Sequence, residues 1–329
     1  MSSPQQPTLS IIIPFYNEYD NLPLFHQRLT QTLKPLPYRM EILYIDDGST
    51  DMAAEWVTEQ AHKDPRIALL RLSRNFGKEH ALSAGIDYCH GDAAIVIDAD
   101  LQDPPELIPQ LIAPWQENKA DVVYAQRLSR QGDSLVKRLT AHLFYRLMAR
   151  TRPVIPYNAG DFRLMNRQAL DDIKTLREKH RFMKGLFTWI GHRQYAVPYH
   201  REPRHKGRSK WSYFALWHLS IEAITSFTTA PLRIASYLGL GAVLFSLTYG
   251  SIILFRTIAY GSDVPGYPSL MMTILFIGGV QMFTIGILGE YIGRIFNEVK
   301  QRPLYLVRAW HPSQQTRPQK TRHDHHKTP

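Results

Sequence analysis

The sequence predicts an α/β fold: an open, largely parallel sheet covered by helices, followed by a two-helix transmembrane hairpin. Three observations predict it. Short β-rich apolar runs alternate with helical stretches over residues 9–97, and polar or acidic residues gather where each run stops. Two long stretches without a charged side chain then lie near the C-terminus, in a chain whose 44% hydrophobic content is otherwise ordinary. Alternating strands and helices favour a parallel sheet with helices on both faces. In such sheets ligands bind at the carboxyl ends of the strands, so motifs far apart in sequence are expected to meet in one crevice.

The elements follow in order. Residues 1–8 are polar and lack a charged region followed by an apolar one, so no signal peptide is read and the N-terminal domain is expected in the cytoplasm. Residues 9–14 form a buried first strand ended by Pro14, and residues 21–33 a helix. A second strand, 40–45, stops at Asp46-Asp47-Gly48-Ser49-Thr50-Asp51, an acidic turn that leads into a helix over 52–62. The third strand, 67–72, runs into Ser73-Arg74-Asn75-Phe76-Gly77-Lys78. A helix over 79–88 precedes the fourth strand, 93–97, which ends at Asp98-Ala99-Asp100. Beyond it come a strand over 122–125, a basic helix, the segment Gly160-Asp161-Phe162-Arg163-Leu164-Met165, and a basic stretch with Arg201, Arg204, His205, Lys206, Arg208 and Lys210.

Residues 211–228 are aromatic and mostly apolar, which predicts an interfacial helix anchored by Trp211 and Trp217. Residues 234–255 and 269–289 are each long enough to cross the hydrocarbon core. Asp263 is the only charge in the turn between them, residues 259–268. Arg233 and Arg256 flank the first run, and Arg294, Lys300, Arg302 and Arg308 follow the second. The positive-inside rule then sets both termini in the cytoplasm. The predicted organisation is a catalytic domain over 1–210, an interfacial region over 211–232, a transmembrane hairpin over 233–295, and a basic tail over 296–329 that is disordered at its end. His323, His325 and His326 read as part of that solvated tail.

Lys and Arg outnumber Asp and Glu by 39 to 29, a net charge of +10. Such a balance suits nucleic acid, anionic lipid or a phosphorylated substrate. The apolar runs favour the last two, and no nucleic-acid recognition motif is present. No Gly-x-Gly-x-x-Gly follows the first strand, which excludes a typical dinucleotide dehydrogenase. The single cysteine, Cys89, permits no intrachain disulfide and reads as structural.

Chemistry is concentrated at the strand ends. Asp98 and Asp100, separated by one residue after an apolar strand, can present oxygens to a shared ligand, with Gln102 two positions on. Mg²⁺ or Mn²⁺ takes such hard donors and keeps bonds to substrate phosphates, and a diphosphate leaving group needs its charge neutralised. Asp46 and Asp47 can accept hydrogen bonds from a nucleotide, Tyr16 can stack on a base, and Glu18 can meet ribose or base donors. Gly207 and Ser209 in the basic stretch permit close approach to a phosphate. Asp161 is the best candidate for a carboxylate beside the reaction centre.

These motifs together resemble the family 2 glycosyltransferases, and within them the polyprenyl-phosphate branch typified by the bactoprenol glucosyltransferases, relatives of the dolichol-phosphate-mannose synthases. Asp46-Asp47-Gly48-Ser49 and Asp98-Ala99-Asp100-Leu101-Gln102-Asp103-Pro104 are similar to the wider family. Arg74-Asn75-Phe76-Gly77-Lys78-Glu79, Gly160 to Met165, Gly266-Tyr267-Pro268-Ser269-Leu270 and Leu288-Gly289-Glu290-Tyr291-Ile292-Gly293-Arg294 resemble the glucosyltransferase branch.

The resemblance implies an A-type glycosyltransferase (Rossmann-like) domain and an inverting transfer of a hexose, glucose from UDP-glucose, to undecaprenyl phosphate at the bacterial inner membrane. It implies that Pro14, Tyr16, Glu18, Asp46, Asp47 and Lys78 hold the nucleotide sugar, and that Asp98, Asp100 and Gln102 meet the Mg²⁺ or Mn²⁺ ion and the diphosphate. It assigns Arg127, Arg138, Arg204, Ser209 and Lys210 to the acceptor phosphate, makes Asp100 and Asp161 catalytic, and suggests a homotetramer. Trp211 stands where relatives often carry Tyr or Phe. Transfer of another sugar to the same carrier is an alternative reading. A processive polysaccharide synthase would carry a Gln-x-x-Arg-Trp signature, which is absent; a non-catalytic scaffold would have lost the acidic pair, which is intact.

Overall fold

The computed structural model describes residues 8–128, 156, 158–200, 230–260 and 266–314. The chain divides into two compact units, one built from its N-terminal part together with the segment that begins at Pro303, the other ending at Arg302. In the first unit the strands are β1 (Thr8–Phe15), β2 (Arg39–Asp46), β3 (Ile67–Leu72), β4 (Ala93–Val96), β5 (Val122–Arg127), β6 (Ala159–Asn166), β7 (Gln194–Tyr199) and β8 (Val307–His311). Its helices are α1 (Leu22–Leu33), α2 (Ala53–Lys63), α3 (Lys78–Tyr88), α4 (Ile108–Gln116), α5 (Arg167–Thr175) and α6 (Met183–Trp189).

The sheet runs in the order β7-β5-β6-β4-β1-β2-β3-β8. Strands β1 to β4 are mutually parallel, as the alternation of strands and helices predicts. Two antiparallel strands make it a mixed sheet. β6 inserts between β4 and β5, antiparallel to both. β8 pairs antiparallel with the outer edge of β3. The sequence reading leaves residues 296–329 as a tail, so β8 is an addition to it. The physical reason is edge coverage: an unpaired β3 would present bare N–H and C=O groups. Ser73 N–H donates to the Leu306 carbonyl at 2.8 Å, Trp310 meets Tyr88 edge-on at 5.0 Å, and Tyr305 donates to Asp87 at 2.8 Å.

Alternation along each strand sends side chains to opposite faces. On one face Leu9, Ile11 and Ile13 of β1, Ile42 and Tyr44 of β2 and Ile95 of β4 meet Phe25 and Leu29 of α1, Val57 of α2 and Leu111 of α4 in one buried core. On the other face Ile12 and Ile45 lie against α3, where Gly85 lets the helix approach: a Cβ there would stand 2.3 Å from Ile12 Cγ2. Pro14 falls past Ile12, the last β1 residue paired with β4, so its missing N–H removes no bond from that ladder.

The second unit holds α7 (Ala230–Tyr260) and α8 (Tyr267–Val299). Phe245 of α7 and Phe276 of α8 meet edge-on at 6.2 Å. Leu240, Val243, Leu247, Phe255, Ile274 and Phe283 are all exposed. Both helices are long and apolar enough to cross a membrane. Water would penalise that surface, and a bilayer would not. The predicted basic helix after β5 and the predicted interfacial helix lie outside the described residues.

Candidate active site

The topology brings the sequence motifs to one end of the sheet. β1, β2 and β4 deliver their carboxyl ends there, and the antiparallel β6 delivers its beginning. Val96 pairs with Arg163, so Asp98 and Asp161 lie just beyond the last paired residues, side by side. Within β6, Asp161 and Arg163 alternate with the buried Phe162, which points into the core of the opposite face. Both charged residues therefore turn toward α3 and α6.

Lys78, the first residue of α3, meets them. Its Nζ donates to Asp98 Oδ2 at 2.6 Å and to Asp161 Oδ2 at 2.7 Å. The side chains of Lys78, Asp98 and Asp161 are 38%, 22% and 10% exposed. The second oxygen of Asp161, Oδ1, is buried without a hydrogen-bond partner among the described residues. Burial by itself would lift the Asp161 carboxyl, but Lys78, Lys184 and Arg163 outweigh it and hold the group well below the usual range. Asp98 shifts the other way. Burial and the carboxylates of Asp161, Asp103 and Asp100 push it up to about 6, against the pull of Lys78. Burial disfavours the Lys78 ammonium, yet Asp161 and Asp98 raise it above its ordinary value.

The turn after β4 is shaped around Asp100, which is 8% exposed and accepts from Gln102 N–H at 3.2 Å. Leu101 between them has φ of 63°, a left-handed conformation that costs a branched residue about 1 kcal/mol or more. Its side chain is buried, which holds the turn in that shape. Asp103, 2% exposed, accepts from the Tyr199 hydroxyl, and Arg127 Nε donates to the same hydroxyl at 3.3 Å. The ends of β5 and β7 are thereby tied to the acidic turn.

Asp46 and Asp47 take positions that sequence reasoning did not foresee. Both are buried, at 1% and 3% exposure, and both accept from protein donors. Asp46 accepts from Ser49 N–H at 2.7 Å and from Arg71 Nε at 3.2 Å. Asp47 accepts from the backbone N–H groups of Phe76 at 2.8 Å and Gly77 at 2.9 Å. Tyr16 and Glu18 follow β1. Glu18 accepts from Asn21 Nδ2 at 2.6 Å, and Thr50 N–H donates to Asn17 at 2.8 Å, lacing the β1 and β2 turns together.

The structure thus gathers Asp98, Asp161, Lys78, Asp100 and Gln102 at one end of adjoining strands, with Arg127 tied in through Tyr199 and Asp103. Arg138, Arg204, Ser209 and Lys210 lie outside the described residues. Sequence reasoning gave no role to Asp103, Tyr199, Arg163, Glu79 or Lys184. Asp103, Arg163 and Glu79 lie inside the sequence motifs and could have been found there. The Glu79 carboxylate accepts Met183 N–H at 2.9 Å, and burial pushes it up to about 7.

Comparison with known proteins decides the lineage. The family model described as Glycosyl transferase family 2 matches residues 10–174, and a second, the GtrB C-terminal hairpin, matches residues 230–295. The chain belongs to glycosyl transferase family 2. It is 52% identical over 300 residues to an uncharacterized glycosyltransferase of Synechocystis, covering 91% of this chain and 94% of that one. It is 46% identical over 304 residues to a prophage-derived bactoprenol glucosyl transferase of Shigella flexneri, covering 92% and 98%. A bactoprenol glucosyl transferase homolog of Escherichia coli is 44% identical over 301 residues, covering 91% and 98%. The first unit is the family's A-type α/β domain, and α7 and α8 are its C-terminal hairpin.

Family 2 chemistry bears on the acidic turn. Asp98 and Asp100 offer the hard oxygen donors that Mg²⁺ or Mn²⁺ takes, and two carboxylates leave coordination positions for a diphosphate and water. Among the described residues, no group of three or more acidic, His or Cys side chains is placed to hold a metal ion by itself.

Proposed function

We propose that the chain is an inverting, metal-dependent hexosyltransferase that moves glucose from UDP-glucose to undecaprenyl phosphate at the cytoplasmic face of a bacterial inner membrane. The observation that carries this reading is the meeting of Asp98, Asp100, Asp161 and Lys78 at one sheet end, in a chain similar along 92% of its length to a bactoprenol glucosyl transferase. The exposed apolar hairpin supports a lipid acceptor, because a long prenyl chain stays in the bilayer while a nucleotide sugar is soluble. Both termini are assigned to the cytoplasm, and the working assembly to a homotetramer.

In this reading an oxygen of the acceptor phosphate attacks the anomeric carbon as its bond to the diphosphate breaks, and the electron pair leaves with UDP. Asp98 and Asp100, with Gln102, hold the divalent ion, which when bound neutralises the departing diphosphate. Pro14, Tyr16, Glu18, Asp46 and Asp47 frame the nucleotide. Asp161 offers its unpartnered Oδ1 to a sugar hydroxyl and orients it. A carboxylate held so low is a weak base, and a phosphate nucleophile that is already anionic needs none. Arg127, with Arg138, Arg204, Ser209 and Lys210, attracts the acceptor phosphate.

Membranes containing the full chain, incubated with undecaprenyl phosphate, Mg²⁺ and a panel of nucleotide sugars, test the proposal. A glucosylated lipid formed from UDP-glucose is expected. Asp100→Ala should lower the rate by about 100-fold or more, the scale seen when electrostatic stabilisation of a leaving group is lost. No glycosylated lipid from any donor, or full activity in Asp100→Ala, overturns it.

A further inference from the structure

Lys78 is misplaced by the rules of helix stability. It opens α3, where the helix dipole favours acidic side chains and disfavours an ammonium. Its N-cap, Gly77, supplies no side-chain cap and has φ of 95°. The ammonium does not help the helix start, so the position answers to something outside it. That something is the pair of carboxylates at 2.6 and 2.7 Å, delivered by the turn after β4 and by β6. Two carboxylates brought this close repel unless a cation stands between them.

The backbone aims the lysine. Asp47 binds the N–H groups of Phe76 and Gly77, the two residues immediately before Lys78. A Cβ on Gly48 would lie 2.4 Å from the Arg74 carbonyl carbon, so the turns after β2 and β3 are in close contact. The end of β2 thereby sets where Nζ falls.

We infer that Lys78 is a positioning residue that serves as the internal counter-ion of the site, holding Asp98 beside Asp161 before the donor arrives and yielding Asp98 to the divalent ion. The inference rests on the reading of Asp98 as a metal ligand. Lys78 and the ion compete for one oxygen, Asp98 Oδ2. A lysine suits such an exchange: it is a compact charge on a flexible stem that can release one carboxylate while keeping the other. The competition explains a lysine where the metal ligands alone would favour open space. Removing it should make the metal bind more tightly, the reverse of what loss of a merely structural residue would do.

The test measures Mn²⁺ alone, without nucleotide, by the electron paramagnetic resonance signal of the free ion against full-length protein in detergent. In Lys78→Met, Mn²⁺ affinity should rise by about tenfold, the scale on which groups beside metal ligands act, while sugar transfer slows. Lys78→Gln is a second neutral variant should the first not fold, and Lys78→Arg should stay near wild type because the competing charge remains. Asp98→Asn should lose Mn²⁺ binding. Unchanged or weaker Mn²⁺ binding in both neutral variants, with binding still lost in Asp98→Asn, overturns the counter-ion role and leaves the metal assignment standing. Wild-type Mn²⁺ binding in Asp98→Asn overturns the metal assignment and the inference with it.

Discussion

At the scale of single residues, Asp47 shows how a buried side chain can shape a site through the backbone it binds. Burial lifts its carboxyl to about 6, even though the amides of Phe76 and Gly77 pull it down. In the unfolded chain it titrates near the ordinary value of about 3.9. The folded state therefore holds this proton more tightly, and the stability so gained is present below the unfolded value and lost as pH rises through the folded one. Asp47→Asn removes that proton linkage. The difference in Tm between wild type and Asp47→Asn, measured without metal, should fall as pH rises from about 4 to about 6. A flat difference across that window would mean that Asp47 titrates normally. The same variant also gives up an amide acceptor in front of Lys78, so its transfer rate should drop even at neutral pH.

Among the elements, α3 carries the most consequence, since its first residue enters the site and its body lies on the central strands. Gly85 makes that approach possible. Gly85→Val would drive a branched side chain into Ile12 Cγ2, which already lies 2.3 Å from the position of a new Cβ. Overpacking of this kind costs about 1–3 kcal/mol, more than the small difference in helix propensity between the two residues can return. A lowered Tm is expected, together with a loss of transfer greater than the loss of folded protein, because α3 would lift and take Lys78 with it. β6 matters for a related reason. Its antiparallel insertion beside β4 sets Asp161 next to Asp98, and no parallel strand in that place would begin at the site.

For the molecule as a whole, the hairpin is an insertion in the sequence of the catalytic unit, which resumes at Pro303 and ends its sheet with β8. Truncation and internal deletion should therefore differ. A chain ending at residue 229 lacks both hairpin and β8, leaves the β3 edge bare, and should aggregate or unfold at lower temperature. A chain in which residues 215–302 are replaced by a flexible linker keeps β8 and should be the more stable of the two. Thermal unfolding and light scattering of the two proteins compare them directly. Equal stability would show that β8 adds nothing to the sheet. The linker variant should also transfer sugar poorly to a bilayer-held acceptor, having lost the apolar helices α7 and α8.

The sequence by itself determined the β/α alternation of β1 to β4, the acidic turn after β4 and the long apolar helices, because each is written in local periodicity, turn chemistry or length. Asp98 and Asp100 were legible as candidates for the same reason, since carboxylates at a strand end stand out against an apolar run; Asp161 was read from its own segment, with no strand predicted there. Only the tertiary structure decided that β6 runs antiparallel, that residues 307–311 close the sheet edge, that Asp47 binds the loop before Lys78, and that Tyr199 donates to Asp103. Each of these joins segments between 29 and 242 residues apart. Contacts at such separation are fixed by strand register and by the satisfaction of buried polar groups. Neither leaves a mark on the residues within a single window of sequence.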